Sequence, residues 1–229
     1  SYQANLEALP RVDRMQLKEG NWNVRPASGL YFKKHWFEVV QAVPPNCQSI
    51  RYWDRASTEV SETNRNPDWT VGLKLLKAPN GLYYIEDVVR LRGSPSKVEE
   101  AILNTARQDG LKTTVYLEQD PGSAGVAEIS SYSKLLAGFN IKVNKPSADK
   151  ITRAGPVSAQ CERGNVKVLE GKWNRDFFSE LEAFPEGSHD DAVDGLSGAF
   201  SMHTLNSVGS FTEKHIPNRI SSISRGLKW

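Results

Sequence analysis

Apolar positions change period several times along this chain, and each change marks an element. Leu6, Leu9, Met15 and Leu17 fall at helical spacing interrupted by Pro10, which predicts a short amphipathic helical lead-in followed by a loop over NWNVRPASG. Phe32, Trp36, Phe37 and Val40 predict a second helix, closed by Pro44-Pro45. From Cys47 the period shortens. SIRYWD, WTVGLKLLKA and LYYIEDVVRL read as strands, the last two joined by a hairpin at Asn80-Gly81. SPSKVEEAILNTARQDG reads as a helix with a Ser cap, Glu99 and Glu100 in its first turn and Gly110 as its stop. TTVYLEQD predicts a fourth strand, SAGVAEISSYSKLLAGF a helix, NIKVNKP a fifth strand and DKITRAGPVSAQCERG another helix. NVKVLE follows as a short strand, then RDFFSELEAFP as a helix with Phe177, Phe178, Leu181 and Phe184 on one side. DDAVDGLSGAFSMHTL closes the series as a helix that turns Ala192, Val193, Leu196, Ala199 and Phe200 inward.

Three strands in antiparallel succession, then strands alternating with helices, predict a mixed α/β sheet with helical layers. No internal repeat is visible. The division expected is a lead-in over residues 1–45, a core domain over 46–205, and a Ser-, Gly- and basic-rich tail over 206–229 that is poorly ordered. At 229 residues, with 38% hydrophobic and 24% charged positions, the chain is long enough for a full core and ordinary for a soluble protein. No apolar run approaches the ~18 residues of a membrane span and no signal peptide opens the chain, so no membrane partner is expected. Cys47 and Cys161 lie far apart without metal-ligand spacing, which predicts structural thiols in a reduced, cytosolic compartment. The first residue is not Met, which suggests a fragment of something longer.

The chemistry lies in three acidic clusters. They are Asp54 in SIRYWD, Glu118 with Asp120 in TTVYLEQDPGSAG, and Asp190, Asp191 and Asp194 in SHDDAVDGLSGAF. Carboxylates are hard oxygen donors suited to Mg²⁺ or Mn²⁺, and two such ions can clamp the attacking and leaving oxygens of a phosphodiester. Each cluster also has a structural explanation. Asp54 can cap a loop or pair with Arg51 or Arg55, Asp120 begins a DPG turn, and Asp190 and Asp191 meet a helix dipole. Glu118 is harder to explain in an otherwise apolar strand, as is Asp194, one helical turn after Asp191, where like charges repel unless a cation lies between them. Tyr116, Glu118 and Asp120 share one strand face. Glu118 still has the support of the strand, so it is expected to be the direct ligand and Asp120 a water-mediated contact. Taken together the clusters point to a metal-dependent nuclease.

The net charge is only +2, but the acidic clusters leave the rest of the chain basic. Lys145, Lys150 and Arg153 in NKPSADKITRAG are read as lacking nearby acidic partners and are the candidates for phosphate contacts, the alternative being a solvated helix face. DNA binding by the domain alone is expected to be weak, independent of sequence and strongly salt-dependent. Trp53 and Trp69 read as core. His189 could orient water, bind metal or simply be exposed; His35, His203 and His215 form no ligand spacing. No G-x-x-x-x-G-K-[ST] loop and no G-x-S-x-G elbow occurs, so neither ATP hydrolysis nor serine-hydrolase chemistry is expected of this chain.

The order of these motifs resembles the C-terminal nuclease domain of the large terminase subunit of tailed bacteriophages. The resemblance runs from LEALPRVDRMQLKEGNW through GLYFKKHWF, RYWDRAS, NPDWTVGLKL, YYIEDVVRLRG, LEQDPGSAG and SHDDAVDGLSGAF, and LEQDPGSAG followed by DDAVDG is its specific part. It implies an RNase H-like fold of the resolvase type, a five-stranded or slightly larger mixed sheet flanked by helices. Residues 1–45 would then be the linker from an ATPase domain not present here, and residues 46–205 the nuclease domain. The implied activity is endonucleolytic cutting of concatemeric viral double-stranded DNA during genome packaging in the host cytoplasm, with the ATPase domain, the small terminase subunit and the portal as partners. Carried over by motif, Asp54 bridges two divalent ions, Mg²⁺ or Mn²⁺, with Glu118 on one and Asp191 on the other. Asp190, Asp194 and Asp120 are secondary ligands. The family's first motif often has a second Asp a few residues on; here a longer polar loop precedes Asp68, which the resemblance leaves unassigned. The alternatives are a stand-alone Holliday-junction resolvase-like nuclease and a non-catalytic packaging or portal-docking module.

Overall fold

The computed structural model describes residues 6, 9, 11–20, 29–56, 62, 64–119 and 122–212. After helix α1 (Arg11–Glu19) and a 3-10 turn at Lys34–Trp36 come the strands β1 (Glu38–Val40), β2 (Gln48–Asp54), β3 (Thr70–Lys77) and β4 (Tyr83–Leu91). Strands and helices then alternate: α2 (Pro95–Asp109), β5 (Thr114–Glu118), α3 (Ser123–Leu135), β6 (Ile141–Asn144), α4 (Lys150–Glu162) and β7 (Val166–Leu169). Two helices close the chain, α5 (Asn174–Ala183) and α6 (Asp191–Thr212).

The strands form one seven-stranded sheet in the order β1-β7-β4-β3-β2-β5-β6. β2, β3 and β4 pair antiparallel, and every other neighbouring pair is parallel. This is the mixed sheet with helical layers that the pattern predicts, two strands wider than five. The β3–β4 turn is set by Gly81, whose φ of 86° suits a residue without Cβ and whose N–H donates to the Ala78 carbonyl at 2.9 Å.

Alternation along β2 and β5 divides the core in two. Tyr52 and Tyr116 face one side, where they pack with residues of α4, α5 and α6. Trp53, Val115 and Leu117 face the other and pack with α2 and α3. α6 lies within the first layer, every residue from Asp191 to Phe200 being buried, which is why its sequence is apolar nearly all round.

One element differs from the sequence reading. The helix expected over Phe32–Val40 is a 3-10 turn followed by strand β1, which pairs parallel with β7 at the sheet edge. The helical spacing of Phe32 and Phe37 arises from tertiary contact: their rings pack against Phe184 and Phe178 at centroid distances of 6.2 and 5.5 Å. At the other end α6 continues to Thr212, beyond the expected boundary at 205, and residues 213–229 lie outside the described residues.

Candidate active site

β2 and β5 run parallel with Trp53 opposite Leu117, so the next residue of each, Asp54 and Glu118, ends its strand at the same edge of the sheet. Parity puts both carboxylates on the face covered by α6. That helix comes close because it presents glycines to the sheet. A Cβ at Gly198 would lie 2.2 Å from Cζ of Tyr52, and one at Gly195 would meet Val71 and Leu73 at 3.4 and 3.5 Å. The close approach brings Asp191 and Asp194, in the first turn of α6, over the strand ends. Both are buried, at 6% and 4% exposure.

Asp54 is partly buried, yet desolvation is the largest cause of a pKa held well above the usual aspartate value; Glu118, Asp194 and Asp191 raise it further, and Lys150 opposes them. Neither arginine weighed as its partner serves it. Arg51 points to the other face, and Arg55 is paired with Glu128 at 2.5 Å and donates to the Glu118 carbonyl at 2.6 Å. Among the described residues the Asp54 carboxylate has no hydrogen bond and no ion pair. Burial also raises the pKa of Asp191 and Asp194, with Trp69 N–H opposing it at the former and Arg153 and Lys150 at the latter.

Glu118 is oriented by a relay that the sequence did not disclose. The Tyr52 hydroxyl donates to Glu118 Oε2 at 2.7 Å, and Asn144 Nδ2 at the end of β6 donates to the Tyr52 oxygen at 2.7 Å. Burial and the Glu118 charge together push the Tyr52 phenol strongly upward, so it remains a donor.

Two of the three proposed phosphate-binding cations are engaged with these carboxylates, contrary to the premise that they lack acidic partners. Lys150 Nζ lies 2.6 Å from Asp190 Oδ1 and 3.1 Å from Asp194 Oδ2. Arg153 donates to Asp194 Oδ1 at 2.6 Å and approaches Glu118 Oε2 at 3.6 Å. Those partners follow some 40 residues later in the chain, beyond any local reading. Lys145, by contrast, lines a cleft of about 440 Å³ between the β6–α4 loop and α6, next to Arg153.

Asp68 and His189, whose participation the sequence left undecided, converge on Asp191. Ligand atoms of the three lie within 4.8 Å of one another, a grouping able to hold a metal ion. Asp191 Oδ2 accepts the Trp69 backbone N–H at 3.1 Å. His189 Nδ1 is 3.6 Å from Asp68 and 3.8 Å from Asp191, and its Nε2 lies 3.2 Å from Arg92 Nη2. Arginine only donates, so Nε2 must be the acceptor in this contact. Asp120 lies outside the described residues, and the choice between it and Glu118 rests on Glu118 alone. Trp53 is fully buried, as expected of core, while Trp69 is partly buried beneath two arginines.

Residues 51–203 match the sequence model of a family described as the terminase RNaseH-like domain. No curated protein sequence matches the chain. Among solved structures, the large terminase nuclease of the thermophilic phage G20c aligns with a TM-score of 0.52 at 16% identity, covering 76% of this chain and 98% of that one. The same nuclease with bound zinc aligns at 0.52 and 20% identity, covering 71% and 85%. The large terminase of another thermophilic bacteriophage, in complex with ATP-gamma-S, aligns at 0.60 and 14% identity, covering 86% of this chain and 50% of that one. These likenesses establish the RNase H-like fold. The family match takes in the end of β2 with Asp54, β5 and the acidic first turn of α6, and this chain belongs to the terminase RNase H-like domain family.

Proposed function

We propose that the chain is a metal-dependent endodeoxyribonuclease that cuts double-stranded viral DNA during genome packaging in the host cytoplasm. The single observation that carries this reading is Asp54, a desolvated carboxylate without a partner among the described residues, set among Glu118, Asp191 and Asp194. Like charges at such a site cost free energy unless a cation neutralises them. The donor set suits a hard divalent cation, being mostly carboxylate oxygen, with His189 as the one nitrogen. The solved G20c nuclease carries zinc in one structure and magnesium in another, which supports the same expectation here.

Asp54 is the central ligand in this reading, flanked by Glu118 and Asp191, with Asp194 and Asp190 contributing and Asp68 an additional candidate. Two bound divalent ions, Mg²⁺ or Mn²⁺, would supply charge neutralisation at the attacking water and the leaving 3′ oxygen of the phosphodiester. The chain's own part is to hold its oxygens in place. Tyr52 and Asn144 orient Glu118, the Trp69 N–H orients Asp191, and the packing of α6 on β2 fixes the distance between the two sets. Lys150 and Arg153 stand beside the carboxylates and would be released to DNA phosphates once the acids are neutralised otherwise, while Lys145 lines the adjoining cleft. Binding would be independent of sequence, with specificity supplied by the ATPase portion of a longer chain, the small terminase subunit and the portal.

Nicking of supercoiled plasmid tests the reading. Cleavage is expected with Mg²⁺ or Mn²⁺, none with chelator, and a loss of at least about 10²–10³-fold in Asp54→Asn, the scale of losing one preorganised electrostatic contact. Full activity of that variant in Mn²⁺ would remove Asp54 from the mechanism. Metal binding by the wild type without any cleavage would favour a non-catalytic module.

A further inference from the structure

Two arginines lie over the same indole beside the carboxylates, and only one of them is neutralised. The Arg90 guanidinium is 4.2 Å from the Trp69 ring centroid and that of Arg92 is 3.9 Å from it. Arg90 is ion-paired at 2.8 Å with Glu180, a buried carboxylate that also accepts the Ala192 N–H at 2.6 Å. Arg92 meets neutral groups: it donates to Asn66 Oδ1 at 2.7 Å and to His189 Nε2 at 3.2 Å. Among the described residues it has no carboxylate partner, and its Nε has no hydrogen-bond partner.

Arg92 is tied to the carboxylate site from two directions. Trp69, on which it stacks, gives its backbone N–H to Asp191, and His189, to which it donates, faces Asp68 and Asp191 with its other nitrogen. A guanidinium is permanently charged, and beside a metal-loaded site it is repelled unless an anion arrives with the metal. Its planar fork of donors matches the oxygens of a phosphate. Stacking on an indole and two hydrogen bonds hold it in place beforehand, which lowers the ordering cost of such a contact. Lys150 and Arg153 differ in just this respect, because carboxylates already claim them.

From these contacts we infer that Arg92 is a phosphate-binding residue, gripping the backbone of the DNA strand that crosses the Asp54–Asp191 carboxylates. The inference rests on the nuclease reading and extends it to substrate positioning. The ligand is a phosphodiester group without regard to base sequence, and Arg90 is the built-in control, the same side chain on the same ring with its charge spent on Glu180.

The test is fluorescence anisotropy of a labelled duplex of arbitrary sequence, titrated over a salt series in Mg²⁺, with thermal midpoints and Mg²⁺ affinity measured on the same proteins. Arg92→Gln is expected to bind about tenfold more weakly and to reduce the slope of log affinity against log salt by about one, with midpoint and Mg²⁺ affinity unchanged. Arg92→Lys should keep the slope. Arg90→Gln should lower the midpoint, because Glu180 loses its cation, while the slope stays at the wild-type value. A wild-type slope in Arg92→Gln would overturn the inference, as would a loss of DNA affinity that merely follows a loss of Mg²⁺ affinity. Plasmid nicking by the wild-type protein reports separately on the nuclease reading: the slope can fail while nicking persists, and nicking can fail while the slope behaves as expected.

Discussion

On one face of β2, Arg51 is 1% exposed and every nitrogen of its guanidinium is engaged. It donates to both oxygens of Asp109 at 2.7 and 2.9 Å, to Asp87 at 2.8 Å and to the Gly72 carbonyl at 2.9 Å. Burial alone would lower its pKa, yet the two aspartates outweigh that and the net shift is upward. On the opposite face, three residues later, Asp54 is also desolvated but gathers three more carboxylates around it, whose effect Lys150 only partly opposes. The two charges differ in what completes them. Arg51 is satisfied by its own chain and so belongs to the fold, whereas the Asp54 carboxylate has no partner among the described residues, which makes its face the candidate site.

The largest effect that would sharpen this contrast is expected at Arg51. Arg51→Leu strands Asp109, which keeps only Lys74 at 3.2 Å, and should cost about 3–5 kcal/mol in urea unfolding, with or without Mg²⁺. A cost under about 1 kcal/mol would mean that the network is slack and the contrast false. Gly198→Ala comes next. The new methyl would collide with the Tyr52 ring, so about 1–3 kcal/mol of stability should be lost. Metal-dependent nicking should fall with it, since Tyr52 orients Glu118 and α6 carries Asp191 and Asp194.

Asp54 should respond in the opposite sense to Arg51. Its pKa is raised in the folded state, so the native protein holds a proton that the unfolded chain releases. That contribution is complete below the ordinary value of 3.8 and is lost as pH rises through the folded value. In chelator, the wild type should therefore lose stability relative to Asp54→Asn as pH rises above the ordinary aspartate value of 3.8, and Mg²⁺ should restore it. Parallel pH profiles in urea unfolding would show that Asp54 carries no such burden. The smallest effect is expected for Tyr52→Phe: about 1 kcal/mol of stability for one hydrogen bond, and a loss of about 10–100-fold in metal affinity by calorimetry as Glu118 loses its donor.

The strands and most helices were legible because burial on known faces imposes a period on the sequence. β1 was not: at three residues it is too short to show alternation, and the aromatic residues around it mimic a helix. Asp54, Glu118, Asp191 and Asp194 could be read as a set because, although Asp54 and Asp191 each have a structural explanation, Glu118 in an apolar strand and Asp194 one helical turn after Asp191 do not. Asp68, Trp69 and Arg92 depend on register. β3 returns antiparallel to β2 with Val71 opposite Asp54, and β4 returns antiparallel to β3 with Leu91 opposite Thr70. Residues just before β3 and just after β4 must therefore arrive at the same edge. The hairpin signal at Asn80-Gly81 brings the two strand ends to one edge, but setting Arg92 opposite Trp69 also takes the one-residue shift in register between Lys74 and Leu75, for which the sequence carried no signal. The pairing of Lys150 and Arg153 with Asp190 and Asp194 had no such signal, since only the packing of α4 against α6 creates it.

The glycines of α6 also bear on how the chain can vary. Helix and sheet touch at Gly195 and Gly198, so the gap between the acidic first turn and the strand ends is set by contact between two rigid bodies. The connection from α5 to α6 has no part in setting it. Insertions around residues 186–187 should therefore be absorbed without altering the spacing of Asp191 and Asp194 from the strand ends. A chain of this kind can lengthen or shorten its surface loops while the carboxylate cluster keeps its dimensions.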